Sequence, residues 1–91
     1  MVTYSEITRK NLEKGIPPIK VFNSFFNAFA SLDLTKDITI FDIKKLVGET
    51  EIPYLRLRKG KYRAIFHYEE NGLIVVDYIN KREEVYKWLV Q

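Results

Sequence analysis

Cysteine is absent from the 91 residues, which excludes disulfides, thiolate metal sites and cysteine nucleophiles. Histidine occurs once, at His67, so a zinc site of the usual kinds would have to draw most of its ligands from carboxylates. The expectation is therefore no metal and no cofactor. No uninterrupted apolar run comes near the roughly 18 to 20 residues of a membrane span. The opening MVTYSEITRK lacks the apolar stretch of a secretory signal, and with zero cysteines it points to the cytoplasm and away from membranes. Repeats, low-complexity tracts and linkers are missing as well. A chain of this length suits one domain, residues 1–91, around one modest core.

What is present is an ordinary globular balance, 46% hydrophobic and 30% charged, so wholesale disorder is not expected. The net charge of +3 is unevenly placed. Residues 1–53 carry seven Lys/Arg and seven Asp/Glu, whereas residues 54–91 carry eight and five. An excess gathered in the C-terminal part suggests an anionic partner, nucleic acid first.

Along the chain, Val2 to Ile7 reads as a short strand, with Thr8 capping a brief helix through RKNLEK that stops at Gly15. In IPPIKVFNSFFNAFASLD, either Pro17 or Pro18 suits the first turn of a second helix. Apolar residues recur there at Ile19, Phe22, Phe26 and Phe29, flanked by Phe25 and Leu32. Such a row of phenylalanines could stack on bases, but helical spacing makes it core. TKDITIFDIKKLVGE reads as a short extended piece or turn closed by Gly48, and Pro53 opens a strand-rich part.

RLRKGKYR, Arg56 to Arg63, packs five cations and no anion around one glycine. With Lys59-Gly60 as a two-residue loop, Leu57 faces Tyr62, Leu55 faces Ala64 and Arg56 faces Arg63. Leu55, Leu57, Tyr62, Ala64 and Phe66 then share one side, and Arg56, Arg58, Lys61 and Arg63 the other. Like charges directly opposite each other cost about 0.2–1 kcal/mol. Either this is a solvated strand face, or it is a preformed cationic cleft whose forked donors suit phosphate.

A second hairpin is expected to turn at Asn71-Gly72, pairing Tyr68 with Val75, Ile65 with Tyr78 and Arg63 with Asn80. That register puts Asp77 on the core side, where it needs a partner such as Lys44 or Lys45, unless the turn is bulged. A strand running slightly past Asn80 brings Arg82 to Arg63 and Lys61. KREEVYKWLVQ is too short for an independent helix but can dock through Val85, Trp88 and Leu89, with Tyr86 one turn from Arg82.

The runs YLRLRKGKYRAIF, EENGLIVVDYI and KREEVYKW, in this order, resemble the C-terminal two thirds of RelE-like toxins of the RelE/ParE superfamily. FDIKKLVGE resembles the segment before the first hairpin, and SEITRKNLEK, more loosely, the first strand and helix. The resemblance implies an α+β domain with N-terminal helices on one face of a small, mainly antiparallel twisted sheet, and a short C-terminal helix. It implies the toxin of a type II toxin–antitoxin system: a ribosome-dependent, metal-independent mRNA endonuclease that inhibits translation. Its partners would be a cognate antitoxin, in a hetero-oligomer, and the ribosome with its mRNA.

Carried over by position, Arg63, Arg82, Tyr86 and Lys81 are the catalytic candidates. Arg63 matches the arginine at the scissile phosphate, Arg82 the one before the terminal Val-Tyr, and Tyr86 the catalytic or stacking tyrosine. Arg56, Arg58, Lys59 and Lys61 are the RNA-binding candidates. Lys81 stands where many relatives carry histidine, and Tyr54 takes the place of a further lysine in some members, which leaves the general base open.

RNA is cleaved without metal when its own 2′-OH attacks the adjacent phosphorus, and the enzyme must align the attack, move protons and stabilise added negative charge. Arginine stays protonated, so the arginines act as stabilisers before they act as bases. A lysine crowded by cations releases its proton more readily, which makes Lys61 and Lys81 candidate proton carriers. His67 is a weaker candidate, two pairs from Arg63 along the strand. All of this requires Arg56, Arg63 and Arg82 to converge and not to be occupied by internal carboxylates. A ParE-type gyrase inhibitor, or an inactive homologue acting as an antitoxin-bound co-repressor, is the alternative.

Overall fold

The structure, a computed structural model, describes residues 1–48 and 51–90; Glu49, the end of the FDIKKLVGE run, lies outside the described residues. Strand β1 (Val2–Tyr4) leads into helix α1 (Glu6–Glu13), and α2 spans Ile19–Thr35. β2 (Ile43–Lys45), β3 (Leu55–Lys59), β4 (Tyr62–Tyr68) and β5 (Ile74–Lys81) follow, and α3 (Arg82–Leu89) closes the chain. The strand order is β1-β5-β4-β3-β2, parallel only between β1 and β5. This is the α+β architecture expected from the sequence. Among the described residues, no helix is long and apolar enough to cross a membrane.

The cap of helix α1 lies three residues before the expected one. Pairing of β1 with β5 ends at Tyr4, and Ser5 caps the helix by accepting from the Thr8 N–H at 3.2 Å. Thr8 is instead buried inside the helix, its hydroxyl donating to the Val76 carbonyl at 3.4 Å. Pro18 occupies the N-cap of α2, one place before its first turn. The buried stripe of α2 is Phe25, Ala28, Phe29 and Leu32; Phe22 only flanks it, and Ile19 and Phe26 are exposed. The six apolar positions wrap too far around the helix for one sheet to cover them all.

That stripe packs on Leu55, Leu57, Ala64, Phe66, Ile74, Val76 and Ile79, the core face of the sheet. Phe29 meets Phe66 edge-on at 5.1 Å. Tyr4 is wedged against Phe22, 5.3 Å away, and burial pushes its phenol pKa up to about 12.

Both hairpins depart from the expected registers in instructive ways. The first turns at Gly60-Lys61 and not at Lys59-Gly60, because Lys59 pairs with Tyr62 and Arg58 with Arg63. Gly60 alone carries the positive φ of the pair, +59°, the pattern of a type II′ turn. Moving the loop by one residue shifts each pairing by two, so every side chain keeps its face.

In the second hairpin, Arg63 pairs with Asn80 and Ile65 with Tyr78 as expected, but Tyr68 pairs with Ile74 and not Val75. Asn71 and Gly72 do adopt the left-handed conformation, yet the Glu69 N–H donates to the Leu73 carbonyl at 2.8 Å. The loop therefore holds three residues. A three-residue loop would flip the faces of β5, and a β-bulge opposite Ile65/Phe66 flips them back. Asp77 is the extra residue of that bulge. Its partner is His67, not Lys44 or Lys45.

Candidate functional site

On the side of the sheet away from α2, strand pairing builds two rows. Arg58 lies opposite Arg63, and Arg63 opposite Asn80. In the next row Lys44 faces Arg56, Arg56 faces Ile65, and Ile65 faces Tyr78. Helix α3 covers the second row, burying Ile65 and Val85, while Trp88 stacks flat on Tyr78 at 5.2 Å. The Arg58–Arg63 row stays beside the helix and open to solvent. The cap of α3 sits on Lys81 at the end of β5, so Arg82 begins the helix directly. Its N–H donates to the Lys61 carbonyl at 3.3 Å, tying the first turn to the helix start.

Arg63 is half-buried, and its Nη1 donates to the Gly60 and Tyr62 carbonyls at 2.9 and 3.1 Å. These bonds fix the guanidinium while leaving its charge uncompensated. Burial, then the charges of Arg58, Arg56 and Arg82, hold its pKa below the ordinary arginine value. On α3, Arg82 Nε donates to the Tyr86 hydroxyl at 3.4 Å, and its guanidinium carbon lies 5.2 Å from the ring centroid. The bond from Arg82, then its charge and those of Arg63 and Arg56, lowers the Tyr86 phenol pKa. The same interactions with Tyr86 raise Arg82. Arg56, Arg58, Arg63, Arg82 and Tyr86 thus form one electrostatic cluster. Among the described residues, neither Arg63 nor Arg82 forms an ion pair with a carboxylate.

Arg56 is different. Its Nη2 donates to Asp42 Oδ1 at 2.9 Å, and its side chain is only 18% exposed. The Arg58 Nη1 lies 3.9 Å from the other oxygen of the same carboxylate. One of the three guanidiniums expected to be free is therefore occupied.

Lys61 lies in the turn beside the site, where its backbone carbonyl accepts from Arg82, and two lysines fall elsewhere. Lys59 belongs to β3 on the side of Leu55 and Leu57, with its ammonium 5.6 Å from the Phe41 ring centroid. Lys81 pairs with Tyr62 and so shares the side of Tyr62, not that of Arg63. Asp42 and Lys44 were missed. FDIKK reads as a short extended piece or turn in isolation; as a strand, its alternation places both residues on the arginine side.

His67 is buried beyond the arginines. Its Nδ1 lies 2.6 Å from Asp77 Oδ2 and its Nε2 3.2 Å from Glu69 Oε1. Burial opposes its charge, but the bonds to Asp77 and Glu69 outweigh it and raise the imidazole pKa. Burial also raises Asp77, against the pull of His67. Tyr54 packs edge-on against His67 and Trp88. His67 serves this internal network and does not join the arginine cluster. Among the described residues, no group of three His, Asp or Glu side chains is placed to hold a metal ion.

No family model matches the chain, and no curated protein does. Among the solved structures that share its fold are two complexes. One is the RelB–RelE antitoxin–toxin complex from Methanococcus jannaschii, with a TM-score of 0.71 at 20% identity over 93% of this chain and 95% of that one. The other is the archaeal RelE–RelB complex from Pyrococcus horikoshii OT3, with a TM-score of 0.61 at 23% identity over 89% of this chain and 92% of that one. The fold is RelE-like over nearly the whole length.

Proposed function

We propose that the chain is a RelE-like toxin of a type II toxin–antitoxin pair, and that it is an endoribonuclease acting on mRNA in the ribosome. The observation that carries this reading is the convergence of Arg63 from β4, Arg82 from α3 and the Tyr86 phenol on one open patch. Arg58 and Arg56 of β3 stand behind them. The RelE–RelB complexes that share the fold support the toxin reading and an antitoxin as partner.

In this mechanism the RNA supplies the nucleophile. The 2′-oxygen attacks the adjacent phosphorus as its proton passes to solvent water, and the bond to the 5′-oxygen breaks as that oxygen gains a proton. Arg63 is anchored through backbone carbonyls and keeps its remaining donors for the non-bridging oxygens, where negative charge grows. Arg82 reaches the same phosphate from the start of α3. Tyr86, exposed and with a lowered pKa, is the proton donor to the leaving oxygen or a platform for a base. Lys44 and Lys61 extend the positive surface along the RNA backbone.

The test is primer extension of mRNA after induction, comparing wild type with Arg63→Ala. Discrete cleavage in the first and intact message in the second is the expected result. Intact message with wild type at high toxin levels overturns the nuclease reading. Loss of supercoiling activity by gyrase in that case would assign the fold to the ParE-type alternative.

A further inference from the structure

Four arginines crowd one sheet face, and a single carboxylate is built in among them. Asp42 stands immediately before β2, where its own carbonyl accepts the Arg58 N–H at 3.0 Å. That backbone bond fixes Asp42 beside Arg58 whatever its side chain does. The carboxylate then uses both oxygens, one on Arg56 at 2.9 Å and one toward Arg58 at 3.9 Å. Arg56 lies low against the sheet, and its Nε is buried with no hydrogen-bond partner among the described residues. A guanidinium with one buried, unsatisfied N–H is not at its own free-energy minimum. Something must hold it there, and Asp42 is the group in contact.

The charge arithmetic explains why a holder is needed. Arg58 faces Arg63 directly, an arrangement that repels, and Arg56 and Arg82 add to the field at Arg63. Without an anion the flexible side chains of Arg56 and Arg58 would splay outward to relieve it. Outward, they would compete for the phosphate with Arg63 and Arg82.

We propose that Asp42 is a positioning residue that sorts the four arginines, retaining Arg56 and Arg58 as a fixed positive backing and leaving Arg63 and Arg82 to grip the phosphate. The inference rests on the reading of this face as a site for RNA phosphates. It makes affinity and turnover move in opposite directions. Releasing Arg56 adds a mobile cation for the RNA backbone while the reacting phosphate loses its unique seat.

The experiment compares wild type, Asp42→Asn and Asp42→Glu, each with a melting curve to establish folding. Asparagine keeps size and the backbone bond but removes the charge; glutamate keeps the charge. Binding is measured with a single-stranded RNA oligonucleotide across a salt series, and cleavage as kcat and KM on programmed ribosomes. For Asp42→Asn, RNA should bind roughly threefold to tenfold tighter at low salt, with the log–log salt slope steeper by about 0.7, one extra phosphate contact. Its kcat should fall roughly tenfold to hundredfold with KM unchanged or lower. Glutamate should restore the wild-type salt slope and most of kcat.

A merely structural aspartate would weaken binding and cleavage together, and that result overturns the proposal. An unchanged salt slope in Asp42→Asn, or Asp42→Glu behaving like Asp42→Asn, overturns it too. Should wild type bind RNA but cleave no message, the nuclease reading falls while the salt slopes still decide the role of Asp42. Absence of RNA binding in wild type removes both.

Discussion

The two ends of one sheet face could hardly be more different. Around the β3–β4 turn, Arg56 and Arg58 share the Asp42 carboxylate, and Arg63 and Arg82 form no ion pair among the described residues. At the other end, His67 touches both Asp77 and Glu69, and Tyr54 packs edge-on against it and against Trp88, which stacks on Tyr78. The second arrangement satisfies its charges internally, as buried polar groups must. The first leaves its charges unsatisfied in a small domain, where each like-charge pair subtracts from marginal stability. Satisfied charge belongs to the fold, and unsatisfied charge marks the place where a ligand completes it.

Four measurements test that division, from the largest expected effect to the smallest. Arg63→Ala should lower the cleavage rate by about 10²–10³ and leave stability within about 0.5 kcal/mol. Single-turnover cleavage beside urea unfolding reads both, and an equal loss in each would erase the distinction. Asp77→Ala, at the aromatic end, should do the converse. It strips the buried imidazole of its shortest bond and lowers stability by about 1–3 kcal/mol, with cleavage by the folded fraction retained.

The third measurement is pH. His67 in the folded state holds its proton above the ordinary 6.5, so its contribution to stability is full below that pH and is lost as pH rises through the folded value. Asp77 has the same sign from its ordinary 3.8 upward, because burial raises it too. Below about pH 4 the lowered carboxyls of Asp33 and Asp37 act in the opposite sense. Melting temperature should therefore fall above that range, as pH rises through the His67 titration, and the NMR titration of the His67 ring should centre above 6.5. A ring titrating below 6.5 would mean that burial, not pairing, governs this end. The smallest effect is expected from Lys59→Ala. Its ammonium lies over Phe41 on the other side of the sheet, so cleavage should stay within about twofold of wild type.

How much of this was legible in the sequence depends on parity more than on register. The arginine side was readable because a displaced two-residue turn shifts pairings by two and keeps every residue on its face. Arg82 and Tyr86 were readable because helical spacing is local. Asp42 was not, since its partner lies 14 residues away in sequence and β2 is a three-residue strand with little periodicity to show. Asp77 was visible only as a conflict, a carboxylate on a core face. Its resolution by His67 needed the true loop length. In α2 the helix was plain, but the choice of Phe25 over Phe26 for burial rests with the sheet it meets.

The extra residue in β5 has a genetic consequence. The loop closes between Glu69 and Leu73, and the bulge between the Phe66–Val76 and Ile65–Tyr78 pairs, so each irregularity is contained where it arises. A chain that lost one of Glu70, Asn71 or Gly72 would close a two-residue loop on the same pair, and one that lost residue 77 would run β5 straight, with Tyr78 and Asn80 still in place. Relatives should therefore gain or lose the two independently while the terminal segment stays put.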